Sequence, residues 1–122
     1  LCFLVEKANL YDLTNSEILN ILGLYYYLIR ENYVLTKKYF RSAVKLNCMN
    51  AIKNLAQYYY NVGITSYEGY LYTDKTNMCD LKKANTKTLK YYKIALELGD
   101  TDVIQLLASF YKYKNEKEIN IN

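Results

Sequence analysis

The stretch from Lys37 to Tyr59 repeats itself 52 positions later. Tyr39, Ala43, Leu46, Ile52, Leu55, Ala56 and Tyr59 return as Tyr91, Ala95, Leu98, Ile104, Leu107, Ala108 and Tyr111, and Thr36 and Lys38 return as Thr88 and Lys90. Phe40/Tyr92, Arg41/Lys93, Val44/Leu96 and Tyr58/Phe110 are conservative exchanges at the same offset. A second relation lies upstream, where Leu22, Tyr25, Tyr26 and Tyr27 recur 33 residues on as Leu55, Tyr58, Tyr59 and Tyr60. That spacing is the length of a helix-turn-helix repeat unit, which buries its hydrophobic face by stacking on neighbours. The 52-residue interval exceeds the 33-residue one by 19, and the added residues fall between Asn61 and about Asp80.

The spacing of apolar residues within each copy is helical. Ile18, Leu22, Tyr25 and Ile29 stand at i, i+4, i+7 and i+11, as do Ala51, Leu55, Tyr58 and Val62, which is the pattern of an apolar helical stripe. A second type of helix carries Thr36, Phe40 and Ala43 and, in the later copy, Ala84, Thr88, Tyr91, Ala95 and Leu98. The absence of proline and the presence of only four glycines deny the chain the tight turns an all-β fold needs. Thr14 with Glu17 reads as a capping box, and Asp100 or Thr101 is placed to cap the last helix. Asn47 and Gly99, also 52 apart, are the residue types that best accept a left-handed backbone at a helix C-terminus. After the recurring leucine stand Gly23, Ala56 and Ala108, small residues that let helices approach closely.

These signals predict an all-α chain with helices over 1–11, 15–29, 33–46, 50–61, 81–98 and 101–114 and a fraying tail after Lys114. Residues 1–122 are expected to form one helical-repeat domain, part of a longer array, with units 15–47 and 50–99 flanked by helices 1–11 and 101–114. The insertion spans about 62–80, and within it Ile64 to Thr73 places β-prone residues around Glu68-Gly69, as in a small hairpin or long loop.

The pattern resembles the Sel1-like branch of the tetratricopeptide superfamily. Its units read Ala-x-x-x-Leu-Gly-x-x-Tyr, a turn, then Tyr-Tyr-x-x-Ala-x-x-x-Gly. Ile18 to Tyr26, Ala51 to Tyr59 and Val103 to Tyr111 are similar to the first half, and Tyr39 to Asn47 and Tyr91 to Gly99 to the second. The resemblance covers about Asn15 to Tyr113, departing from the pattern at Leu28 to Tyr33, where the usual Gly-x-Gly turn is missing, and at the insertion. It implies a right-handed α-solenoid whose first helices line a concave face that binds a peptide or partner domain, and it brings no catalytic residues.

On that implied face the columns are Asn20/Lys53/Gln105, Leu24/Gln57/Ser109 and Tyr27/Tyr60/Lys112. Asn20, Leu24, Tyr27, Lys53, Gln57 and Tyr60 are therefore the candidate partner-binding residues, with Tyr67, Tyr70 and Tyr72 of the insertion beside them. Tyr25, Tyr26, Tyr39, Tyr58, Tyr59, Tyr91 and Tyr92, on the apolar stripes, are expected in the core.

Chemistry is sparse by comparison. Histidine is absent, which removes the commonest general base and the usual zinc ligand sets. Cys2, Cys48 and Cys79 show no CxxC spacing, and no glycine-rich phosphate loop occurs. No enzyme activity, metal or cofactor is expected. The odd, scattered thiols suit a reducing compartment, so the chain is expected to be cytoplasmic, or in the virion or host cytoplasm if its source is viral, and no apolar run reaches the length of a membrane span. The alternative partner is nucleic acid, on the basic face formed by Lys83, Lys87 and Lys90, in a chain of net charge +4. Sixteen tyrosines with lysine far outnumbering arginine point to AT-rich coding, as in parasites, amoebae and large DNA viruses, and that lowers the weight of any lysine cluster.

Overall fold

Asparagine side chains mark where the first two helices begin. The computed structural model describes residues 15–69 and 75–121, with side chains described for 15–63 and 82–116. All of its regular structure there is helical: α1 (Ser16–Leu28), α2 (Tyr33–Lys45), α3 (Met49–Gly69), α4 (Lys75–Glu97) and α5 (Val103–Ile121). Asn15 caps α1, its Oδ1 accepting from the N–H of Glu17 at 2.9 Å and of Ile18 at 3.2 Å. Such a cap contributes about 1 kcal/mol. The cap expected on Thr14 is thus supplied one residue later, and Thr14 lies outside the described residues. Asn32 caps α2 in the same way, accepting from Leu35 N–H at 3.1 Å. Before α5, Asp100 Oδ1 accepts from Asp102 N–H at 3.0 Å.

The C-termini follow the expected stereochemistry. Asn47 has φ 60° and Gly99 φ 98°. In each case that residue's N–H returns to the carbonyl three back, Val44 or Leu96, and the next N–H, of Cys48 or Asp100, reaches the carbonyl five back, Ala43 or Ala95. This is the Schellman arrangement, which satisfies carbonyls that a helix end leaves without partners.

The chain divides between Leu55 and Ala56, inside α3, into two compact units. In the first, α1 packs on α2, and Leu19, Leu22, Tyr25, Tyr39 and Ala43 form a core with Cys48 and Ala51. Phe40 is fully buried beside Gly23, where an added Cβ would overlap the Phe40 ring. The helices meet this closely because residue 23 has no side chain. Thr36 and Thr88 are fully buried on the second-type helices, yet each hydroxyl donates to a carbonyl of the preceding turn, Asn32 at 2.9 Å and Ala84 at 2.8 Å. A buried donor left unmade would cost about 1–3 kcal/mol, and the back-bond avoids this.

The second unit is built from the later part of α3 with α4 and α5. Tyr59 of α3 stacks on Tyr91 of α4, and Tyr60 meets Phe110 and Tyr113 of α5 edge-on. Among the described side chains of α5, Val103 and Phe110 are fully buried.

Three sequence expectations are corrected. The segment from Asn61 is not an irregular insertion at once: α3 runs on to Gly69, so Ile64 to Gly69 is helix and Glu68-Gly69 is a helix end instead of a hairpin turn. Once a helix is nucleated each further residue adds a hydrogen bond, and β-branched Val62, Ile64 and Thr65 disfavour it by at most about 0.7 kcal/mol apiece. For the same reason α4 begins at Lys75, ahead of the expected residue 81, and α5 extends through Ile121, past the expected fraying at Lys114. The helix expected over 1–11 lies outside the described residues. Among the described residues no helix is long and apolar enough to cross a membrane.

Candidate partner-binding surfaces

On α1 the candidate residues divide by environment. Asn20, expected on the open face, is instead buried, its Oδ1 accepting from Asn54 Nδ2 of α3 at 2.9 Å. A buried amide paired this way specifies packing. Leu24 and Tyr27 are half-buried, with the Tyr27 ring 6.0 Å from the ring of exposed Tyr33. Leu24 stands between two residues the sequence reading passed over, Ile21 and Leu28, both exposed, Leu28 to 67%. The three share one helical face at i, i+3 and i+7, a spacing already present in the sequence. Large apolar side chains placed together at a surface mark an interaction site more often than isolated ones do. Lys53, early in α3, is half-buried.

In the second unit the candidates bind their own fold. Gln57 Oε1 accepts from the hydroxyl of Tyr92 at 3.1 Å, and its Nε2 donates to Asn61 Oδ1 at 2.9 Å. Tyr60 is held between Phe110 and Tyr113 at 6.2 and 5.3 Å between centroids. Burial, and then the Glu116 carboxylate, push its phenol above the usual tyrosine range. Tyr92 is pushed up to about 12, by burial first and by Tyr60 second. These groups stay neutral and act as packing and hydrogen-bonding elements. Tyr67 lies within α3, but its side chain is outside the described residues, as are Tyr70 and Tyr72 altogether.

The basic face of α4 is arranged differently from a free phosphate-binding row. Lys83, Lys87 and Lys90 are exposed, and the Lys87 and Lys90 ammonium groups lie 5.2 Å and 5.4 Å from the centroids of Tyr59 and Tyr91. Lys38 has the same relation to Tyr39 at 5.6 Å. At exposed sites such contacts contribute about 0.5–1 kcal/mol.

Cys48 is a buried free thiol, its Sγ 3.3 Å from Glu17 Oε1. Burial is the main cause that raises its pKa, so it is a poor nucleophile. Among the described residues no group of three or more His, Cys, Asp or Glu side chains could hold a metal ion. No family model, curated protein or solved structure matches the chain.

Proposed function

We propose that this chain is a protein-interaction scaffold, built as a Sel1-like, tetratricopeptide-type α-solenoid, that binds a peptide or partner domain through exposed helix faces. The observation that carries the binding reading is the α1 face on which Ile21, Leu24 and Leu28 stand together, with Tyr27 beside them. An aliphatic strip edged by an aromatic ring is what an amphipathic peptide buries when it docks in a groove. The repeat reading is supported by contacts that recur at the sequence offsets. Tyr26 stacks on Tyr39 in the first unit and Tyr59 on Tyr91 in the second, and both second-type helices end in the same Schellman turn.

The test is capture of partners from the native source by the wild-type chain and by Ile21→Glu and Tyr27→Ala variants, at low and high salt and with nuclease. The scaffold reading expects a protein retained through high salt and nuclease and lost from the Ile21→Glu variant, with helicity unchanged. Phosphate contacts weaken steeply with salt. Retention that vanishes with nuclease and survives Ile21→Glu assigns the chain to nucleic acid through Lys83, Lys87 and Lys90 instead.

A further inference from the structure

Charge is distributed unevenly among the helices. α2 and α4 carry ten of the chain's sixteen Lys and Arg residues but two of its twelve Asp and Glu. AT-rich coding raises lysine along a whole chain and does not select between helices, so composition leaves this segregation unexplained. The bias also recurs by position: exposed Lys38 and Arg41 of α2 return 52 residues later as exposed Lys90 and Lys93 of α4. On α4 the asymmetry is sharpest, for residues 82–96 contain five lysines and no acid.

Lys82, Lys83, Lys87, Lys90 and Lys93 are all exposed, as is Thr86. At 3.6 residues per turn these positions fall within an arc of about 140°, while Ala84, Thr88, Tyr92 and Ala95 on the other side of the helix are buried. The Lys87 and Lys90 ammonium groups rest over the Tyr59 and Tyr91 rings, which engage them from one side, and each ammonium has three N–H donors to share. Protein interfaces are depleted in lysine and anchored by aromatic side chains and arginine, and helices that lie on membranes bury an apolar face in the lipid. The basic face of α4 has neither kind of anchor. Among the described side chains of α4, Leu96 in the last turn is the exposed large apolar one, Tyr91 is stacked on Tyr59, and the helix contains no arginine. Neutralising phosphates requires only a row of positive charge. With no exposed ring on which a base could stack, the face suits a duplex better than a single strand.

We propose that the Lys82–Lys93 face of α4 binds the phosphate backbone of double-stranded nucleic acid without sequence preference. Lysine offers a point charge in place of the paired donors with which arginine reads guanine, so the ammonium groups hold phosphates and leave the base edges unread. The site is separate from the α1 surface and needs no protein partner, so the two readings stand or fall independently.

The test is titration of a short, fluorescently labelled DNA duplex of mixed sequence with the full chain, followed by anisotropy over a range of salt concentrations. Binding is expected at low salt, with log affinity falling against log salt at a slope of about −3 to −4.5, as three to five neutralised phosphates require. Scrambling the duplex sequence should change nothing. Lys83→Gln/Lys87→Gln, checked for unchanged helicity, should bring the slope about 2 closer to zero and weaken low-salt binding about tenfold or more, while Lys83→Arg/Lys87→Arg keeps both. Removing the same charge from α5, as Lys112→Gln/Lys114→Gln, should leave the slope as it was. Absence of duplex binding at low salt would overturn the proposal. So would equal effects of the α4 and α5 variants, which would reduce the binding to net charge. Tighter binding to polyglutamate or to phosphatidylserine vesicles than to the duplex would overturn it in favour of an acidic protein or an anionic membrane.

Discussion

The ring of Tyr59 lies 6.0 Å from that of Tyr91 and within 2° of parallel. Tyr26 and Tyr39 make the same stack at 5.5 Å and 9°, although the chain between the partners is much shorter. Aromatic pairs of this kind contribute about 0.5–1.5 kcal/mol beyond area burial. A double-mutant cycle with Tyr59→Leu and Tyr91→Leu, read by urea denaturation, should therefore return a coupling energy in that range, and a cycle on Tyr26 and Tyr39 a similar one. A coupling indistinguishable from zero would reduce the stack to coincident packing.

Gly23 is held by Phe40. Alanine would gain up to about 1 kcal/mol of helix propensity, but its Cβ would overlap the Phe40 ring, and overpacking a core costs about 1–3 kcal/mol. Gly23→Ala is expected to destabilise the chain, and Phe40→Leu in the same molecule to recover part of the loss. Denaturation midpoints of the two single variants and the double variant decide the matter.

The two left-handed caps predict opposite sensitivities to glycine and alanine. Asn47→Gly should be neutral or slightly stabilising, while Asn47→Ala and Gly99→Ala should each cost about 1–2 kcal/mol. Thermal melts followed by circular dichroism measure both.

Tyr92 gives the stability a high-pH limit. Its phenol is held protonated up to about 12 in the folded chain, against an ordinary value near 10. Because the folded state binds this proton more tightly, the associated stability is complete below pH 10 and is lost as pH rises from there through about 12. Ultraviolet titration should show a phenol ionising near 12 that is lost in Tyr92→Phe, apart from the smaller upward shift of Tyr60. That substitution also removes the bond to Gln57, a loss of about 0.5–1.5 kcal/mol.

Tyr60 separates folding from binding. Packed between Phe110 and Tyr113, it should on truncation to alanine lower stability by roughly 1–3 kcal/mol, less than a fully enclosed aromatic. Tyr27→Ala, at a half-buried position beside Tyr33, should be the milder of the two. Equal losses in chemical denaturation would contradict this ordering.

Much of the helical map is readable in the residues themselves, and the reasons differ by position. Asn47, Gly99 and Gly23 announce their roles because few residue types tolerate a left-handed backbone or a helix at contact distance. Asn20 does not, since its burial depends on Asn54, 34 residues away. The run of α3 to Gly69 is hidden because local propensity favours strand there while helix propagation is cooperative. Ile52 and Ile104 are the sharpest case: the same residue in the same pattern is enclosed in one helix and open in the other. Their difference lies in the neighbouring helix, which no local pattern encodes.

The paired caps also bear on how such a gene changes over time. Asparagine is spelled by codons that begin with two adenines and glycine by codons that begin with two guanines, so Asn47 and Gly99 answer one stereochemical demand in opposite nucleotide vocabularies. The intermediates one base away, serine and aspartate, accept the left-handed backbone less readily than glycine does. A change of residue at these two turns is therefore confined to the few types that accept a left-handed backbone, while the exposed positions around them carry no such stereochemical demand.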